Sequence, residues 1–266
     1  MRLVAQEVAR DHLWEPRFCQ HWLMPEWVSL VVVGRWGPPF GTRSTRHVAL
    51  GVLPSLRSPL RGTPGAYAPI VTSQALTDWT AKRASSIALA WQMHSAQVAS
   101  TATGWQVDQA LAVVLQRMAT EFQGFCRSLH DEASEVFAVT AAKGNTLLES
   151  TLRQLLTTGR DIDKGNAHSD AIARDFSRFG FLFWSAMVAA DNRAGGWPKE
   201  LKKLTEMRNG VAHDDAAKLR ALATEGYVLN EPTLKAWQTT LHDIATTMDD
   251  VVGLSLGALL GVSRPW

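Results

Sequence analysis

The sequence predicts an all-α protein: an antiparallel bundle of five to seven helices over residues 73–266, preceded by an irregular segment, residues 1–72, rich in Pro, Gly and Arg. Three observations carry this expectation. From about Leu76 onward, apolar residues recur at spacings of three and four, which gathers them on one helical face. Helix stop and start residues separate the periodic stretches, as at Gly144-Asn145 and Glu231-Pro232. The 266 residues, 46% hydrophobic and 20% charged, are enough to bury a sizeable core at ordinary globular composition.

The elements follow in order. Residues 1–72 hold 8 of the 11 prolines, and no helical periodicity there outlasts two turns. One run, Val28–Val33, has strand character but finds no partner. The mixture of Arg, Trp, Pro and Gly without Lys fits a basic arm, and it equally fits translated upstream DNA ahead of the true start. Thr77 or Asp78 is placed to cap a first helix to about Gln97. A long amphipathic helix from about Trp105 to Ala142 buries Leu111, Val114, Leu115, Met118, Phe122, Phe125 and Cys126. A short helix spans Thr146 to Thr157, and a polar turn follows at residues 158–167. Ser169 caps a helix running to about Ala190, whose Phe176, Phe179, Phe181, Phe183 and Trp184 read as core because apolar residues surround them. Pro198 suits the first turn of the next helix. Asp214 and Asp215 cap a further one, and Glu231-Pro232 opens a last long helix to about Leu260.

Charge is unevenly divided. Residues 1–72 carry 8 Arg, no Lys and 4 acidic residues, whereas residues 73–266 carry 19 basic and 21 acidic residues. The helical part therefore has no global attraction for polyanions, which argues against a general nucleic-acid coat and leaves room for a small basic site. Cys19 and Cys126 form neither a disulfide framework nor a metal pattern, and the first residues lack a signal-peptide run. The longest apolar stretch near the end, Val251 to Val262, is too short to span a bilayer. These features predict a cytoplasmic protein with no membrane segment. The 158–167 turn lacks the acidic alternation and closing Glu of a calcium loop. No zinc spacing, phosphate-cradling glycine loop or Ser-His-Asp order occurs, so neither metal nor cofactor is expected.

One constellation combines groups fit for phosphate chemistry. Arg208-Asn209-Gly210-Val211-Ala212-His213 joins a permanently charged fork of donors, a side-chain amide and the side chain best suited to exchange protons near neutral pH. With 19 Arg and 8 His, about one-half of an Arg-x4-His pair is expected by chance, and roughly a few per cent once Asn must follow the Arg, so the triplet is more specific than the pair. If the helix continues through the motif, Asn209 and His213 share a face and Arg208 must curl round to reach them. If it breaks near Gly210, His213 opens the next helix. The plainer alternatives are a His213 bonded to Asp214 or to a backbone carbonyl, and an Arg208 paired with Glu206 or another surface carboxylate. Glu121, Arg127, His130 and Asp131 on the long helix are candidate contributors to the same cleft, or members of a solvated helix face.

On this motif, and on the stretches Phe122–Asp131 and Asp175–Gly180, residues 76–260 resemble the HEPN superfamily (higher eukaryotes and prokaryotes nucleotide-binding), in its bacterial Arg-x4-His branch. The resemblance implies a metal-independent endoribonuclease of the toxin or phage-defence kind. In it, His213 is the general acid or base, Arg208 stabilises the phosphorane and Asn209 orients one of them. It further implies an RNA substrate, a homodimer with a shared cleft, and an antitoxin or nucleotidyltransferase-type partner. The alternative within the superfamily is a non-catalytic module that dimerises and binds a nucleotide or partner protein.

Overall fold

A computed structural model describes residues 71–100 and 103–266. Apart from its last two residues, the expected irregular segment lies outside the described residues, as do the Val28–Val33 run and Cys19. The described part is an all-α bundle, as expected, with no strand. Helix α1 (Gln74–Asp78), a π-helical turn (Trp79–Arg83) and α2 (Ala84–Ala99) run on as one rod. Helices α3 (Gly104–Ala142), α4 (Thr146–Thr157), α5 (Ser169–Phe176), α6 (Phe183–Ala190), α7 (Trp197–Ala212), α8 (Ala216–Thr224) and α9 (Glu231–Leu260) follow.

The first rod begins one turn before the expected cap. Ser73 is the N-cap and accepts from the Leu76 amide at 2.9 Å. Its own amide donates to Asp249 of α9, and the Gln74 and Ala75 amides donate to the two oxygens of Glu132 on α3. Two distant carboxylates thus satisfy the orphan donors and complement the positive end of the helix dipole. The π-turn seats Trp79 against Phe122 and Phe125, at 6.0 and 5.7 Å between ring centroids.

Helix α3 is the spine, about 58 Å long at 1.5 Å per residue. A Thr103/Gln106 capping box starts it, and Lys143, in the left-handed region at φ 48°, ends it. Its expected stripe is buried throughout, with Val114, Leu115, Met118, Phe125 and Cys126 wholly inaccessible. Burial also pushes the Cys126 thiol far above its usual range, so it remains an inert apolar filler. Helices α1, α2, α4, α5, α7 and α9 all pack on α3.

The single helix expected to reach Ala190 is divided. His168, not Ser169, caps α5, with Nδ1 accepting from the Ala171 amide. A 3-10 turn, Ser177–Phe179, and Gly180 at φ 86° then turn the chain before α6. The break places Arg178 where its guanidinium donates to the carbonyls of Leu156, Thr158 and Gly159 at the end of α4. The aromatic set is core as predicted: Phe176, Phe179 and Phe183 are buried, and Phe181 and Trp184 pack against them. Among the described residues, no helix is long and apolar enough to cross a membrane.

Candidate functional site

Helix α7 continues without a break at Gly210 and ends at Ala212, so that the motif's last residue is its cap. Leu201, Leu204 and Met207 bury one face, and Gly210 is buried where α8 crosses. A Cβ at Gly210 would lie 2.9 Å from Leu219 Cδ2 and 3.6 Å from Lys218 Cδ, so glycine permits the close approach of α8. His213 is the C-cap, Asp214 is left-handed at φ 51°, and Asp215 caps α8 by accepting from the Lys218 amide. Of the two candidate caps, Asp215 makes the bond. His213 is exposed, and among the described residues its ring has no hydrogen-bond partner, on Asp214 or on a carbonyl.

Arg208 is held by amides. Its Nε donates to Gln116 Oε1 at 3.1 Å, and its Nη1 donates to Asn209 Oδ1 at 3.2 Å. Gln116 Nε2 in turn donates to the Arg208 carbonyl at 3.4 Å. Asn209 Oδ1 accepts a second bond, from Asn166 Nδ2, at 3.0 Å. Nη2 of Arg208 and Nδ2 of Asn209 have no partner among the described residues, and both are donors of the kind a phosphate oxygen accepts from. Glu206, the anticipated carboxylate partner, is taken by Lys203 at 2.9 Å.

The absence of a carboxylate on Arg208 is unusual in this molecule. Nine of the eleven arginines at positions 83 and beyond are in ion pairs with described residues. Arg208 and Arg220 are the two exceptions. Lys218, whose stem packs on Gly210 at the motif, also lacks an ion pair among the described residues. Most acidic residues of this net-negative bundle are in ion pairs elsewhere, which leaves Arg208 and Lys218 without one near the end of α7, where the exposed Asp214 is likewise without an ion pair among the described residues.

The four candidate contributors on α3 do not bond to the motif. Glu121 is buried and shared between Arg83 and Arg117, at 3.1 and 3.3 Å. Arg127 grips the 158–167 loop, donating to the carbonyls of Ile162 and Asp163 and pairing with the Asp163 carboxylate. Asp131 pairs with Arg160 of the same loop. His130 is a core residue: it is wholly inaccessible, its Nε2 lies 3.1 Å from the Asp175 carbonyl, and Phe176 and Phe179 flank its ring. Burial holds it near pKa 4, so it is neutral at physiological pH.

Arg127, His130 and Asp131 instead reach the 158–167 loop, whereas Glu121 does not. Gln123 donates to the carbonyls of Ile162 and Gly165. Wholly buried Asp175 accepts from the Asp161 and Ile162 amides at 3.1 and 2.8 Å. One polar stripe of α3, at positions 116, 123, 127 and 130, therefore holds Arg208 at one end and at the other end the loop that delivers Asn166. Sequence reading missed Gln116 and Asn166, because nothing in the spacing of an amide 92 or 43 residues away marks it as a partner.

A groove of about 400 Å³ opens between α3 and α7 beside Arg208, with Val113, Gln116, Arg117, Thr120 and Val211 on its walls. A second groove of about 280 Å³ shares Val113 and Gln109 with the first, and extends to Met93 and Trp105. Between Ala84 and Gln116 only Asp108 carries a formal charge. This stretch nevertheless exposes Leu89, Met93, Val98, Trp105 and Val113, with Trp105 at 69%. Set against known proteins, the chain matches no family model, no curated protein and no solved structure.

Proposed function

We propose that this chain is a HEPN-type endoribonuclease that cleaves RNA without a metal and serves as a toxin or phage-defence effector. The observation that carries the reading is the Arg208 fork, held on amides and free of carboxylates in a bundle where nearly every other arginine is neutralised. In the proposed reaction, a base removes the proton of a ribose 2′-hydroxyl, and its oxygen attacks the adjacent phosphorus. The 5′-oxygen leaves with a proton from an acid, giving a 2′,3′-cyclic phosphate and a 5′-hydroxyl end. His213, exposed at the end of α7, supplies proton transfer. Arg208 and Asn209 direct donors at the phosphorane oxygens, where negative charge accumulates.

One protomer offers one His213, whereas in-line displacement calls for a base and an acid on opposite sides of the phosphorus. A homodimer supplies both, since a two-fold interface repeats the motif across one cleft. The α2–α3 surface, with Asp108 as its one formal charge between Ala84 and Gln116, favours such pairing, because a face that meets its own copy then sets few like charges together. The same surface favours a second reading, a non-catalytic module that dimerises and binds a nucleotide or partner protein.

Induced expression separates the two readings. The ribonuclease arrests growth, and His213→Ala relieves the arrest and abolishes cleavage while helicity is unchanged. Cleavage persists in excess chelator and leaves cyclic phosphate ends. Full activity of His213→Ala, strict magnesium dependence or 3′-hydroxyl ends would each overturn the proposal.

A further inference from the structure

We infer that Asn166, on the loop between α4 and α5, is a positioning residue that sets which way the Asn209 amide faces and so creates the phosphate-directed donor pair. The inference rests on the reading of Arg208 and Asn209 as a phosphate grip. An asparagine amide has one acceptor end and one donor end. Arg208 Nη1 is always a donor, and it meets Asn209 Oδ1 at 3.2 Å. Asn166 Nδ2 meets the same oxygen at 3.0 Å from the loop. Two donors on one oxygen turn the Asn209 NH2 away from both, and among the described residues neither it nor Nη2 of Arg208 has a partner. Gln116 fixes the third nitrogen of the guanidinium through Nε, so the fork cannot rotate without losing a bond.

The loop is built to hold Asn166 in place. Asp175 fixes its start by accepting the Asp161 and Ile162 amides, and Arg127 and Gln123 bind its middle carbonyls. The Asn166 carbonyl also accepts from the His168 amide at 2.8 Å, at the very cap of α5. Sequence offers no hint of this arrangement, since loop and motif are 43 residues apart.

Asn166→Asp tests the inference with almost no change of shape. A carboxylate offers only acceptors, so the Asn209 amide turns its NH2 toward it, which withdraws that donor from the pair. A space-filling role predicts the reverse order of damage, with Asn166→Ala worse than the nearly isosteric Asp. Positioning predicts that N166D lowers kcat about 100-fold with KM little changed, that N166A is milder, and that N166D costs nothing further in an Asn209→Ala background. A second readout needs no activity. The Asn209 side-chain NH2 resonance, assigned by its loss in N209A, shifts in N166D while the Trp79 indole resonance stays in place.

The outcomes are distinguishable. If wild type cleaves RNA and N166D matches it, or if N166D costs as much again without Asn209, the positioning role is wrong. If wild type does not cleave RNA, the ribonuclease reading fails by itself, and the Asn209 resonance decides the positioning. A shift in N166D upholds it, and an unmoved resonance overturns it.

Discussion

Acid should destabilise this bundle well before its carboxylates titrate, and His130 is the cause. The ring is wholly buried, with Nε2–H donating to the Asp175 carbonyl and Nδ1 facing Arg160 Nη1 at 3.2 Å and Ser134 Oγ at 3.3 Å. Both nitrogens are therefore satisfied in the neutral form. A second proton would go onto Nδ1, against the guanidinium. Burial first, and Arg160 after it, hold the folded pKa at about 4 against the ordinary 6.5. Because the folded value lies below the unfolded one, the unfolded chain takes up the proton first as pH falls. The neutral ring's contribution is complete above 6.5 and is lost progressively between 6.5 and about 4. At about 1.4 kcal/mol per unit, the loss approaches 3 kcal/mol, a large share of the roughly 5–15 kcal/mol that stabilises an ordinary domain. Urea unfolding of wild type and His130→Gln, followed by far-UV circular dichroism from pH 7.5 to 4, isolates this contribution. The stability gap between the two proteins should shrink by about 3 kcal/mol across that range. Parallel pH profiles would mean that His130 is not held neutral, and that the core assignment of this histidine is mistaken.

Two further outcomes follow from the packing. Asp175→Ala removes the acceptor of two loop amides and the partner of Arg178, which should cost about 3 kcal/mol and speed hydrogen exchange at the Asp161 and Ile162 amides. Trp105→Lys puts a cation on the apolar, sparsely charged α2–α3 face, so sedimentation should show the proposed dimer dissociating, with RNA cleavage falling in parallel. An unchanged dimer would place the interface elsewhere.

The legible parts of this molecule are those governed by local rules. The α3 stripe from Leu111 to Cys126 follows from spacing alone, and residue type marks the stop at Gly144-Asn145 and the helix start at Glu231-Pro232, which the structure caps with Asn230. Expectation failed where a long-range partner decides. Ser73 starts a helix because Glu132 and Asp249 meet its first amides, and neither is near in sequence. The helix expected through Ala190 breaks because Gly180 can turn and Arg178 has carbonyls of α4 to satisfy. In the candidate site, the motif residues 208, 209 and 213 could be singled out from chemistry and adjacency. The amides that hold Arg208 and Asn209 could not, because a glutamine or asparagine on a helix face or in a loop looks the same with a distant partner as without one.

The distribution of acids gives the site its character. A bundle with 21 acidic residues against 19 basic ones would repel RNA if its charges were spread evenly. They are not. Asp131, Asp161, Asp163 and Asp175 are consumed in fixing the 158–167 loop to its arginines and lysine. Glu121 is consumed between Arg83 and Arg117, and Glu206 between two lysines. Asp215 is engaged as the cap of α8. The carboxylates that could have neutralised Arg208 thus instead build the scaffold that presents it. In the proposed reaction a phosphate approaching the end of α7 would meet a guanidinium with no ion pair among the described residues, an amide donor and Lys218, with Asp214 as the one neighbouring acid that the fold leaves unengaged. Local attraction of this kind does not depend on net charge. It depends on which acids the fold has already engaged, and that can be read only once the loop is in place.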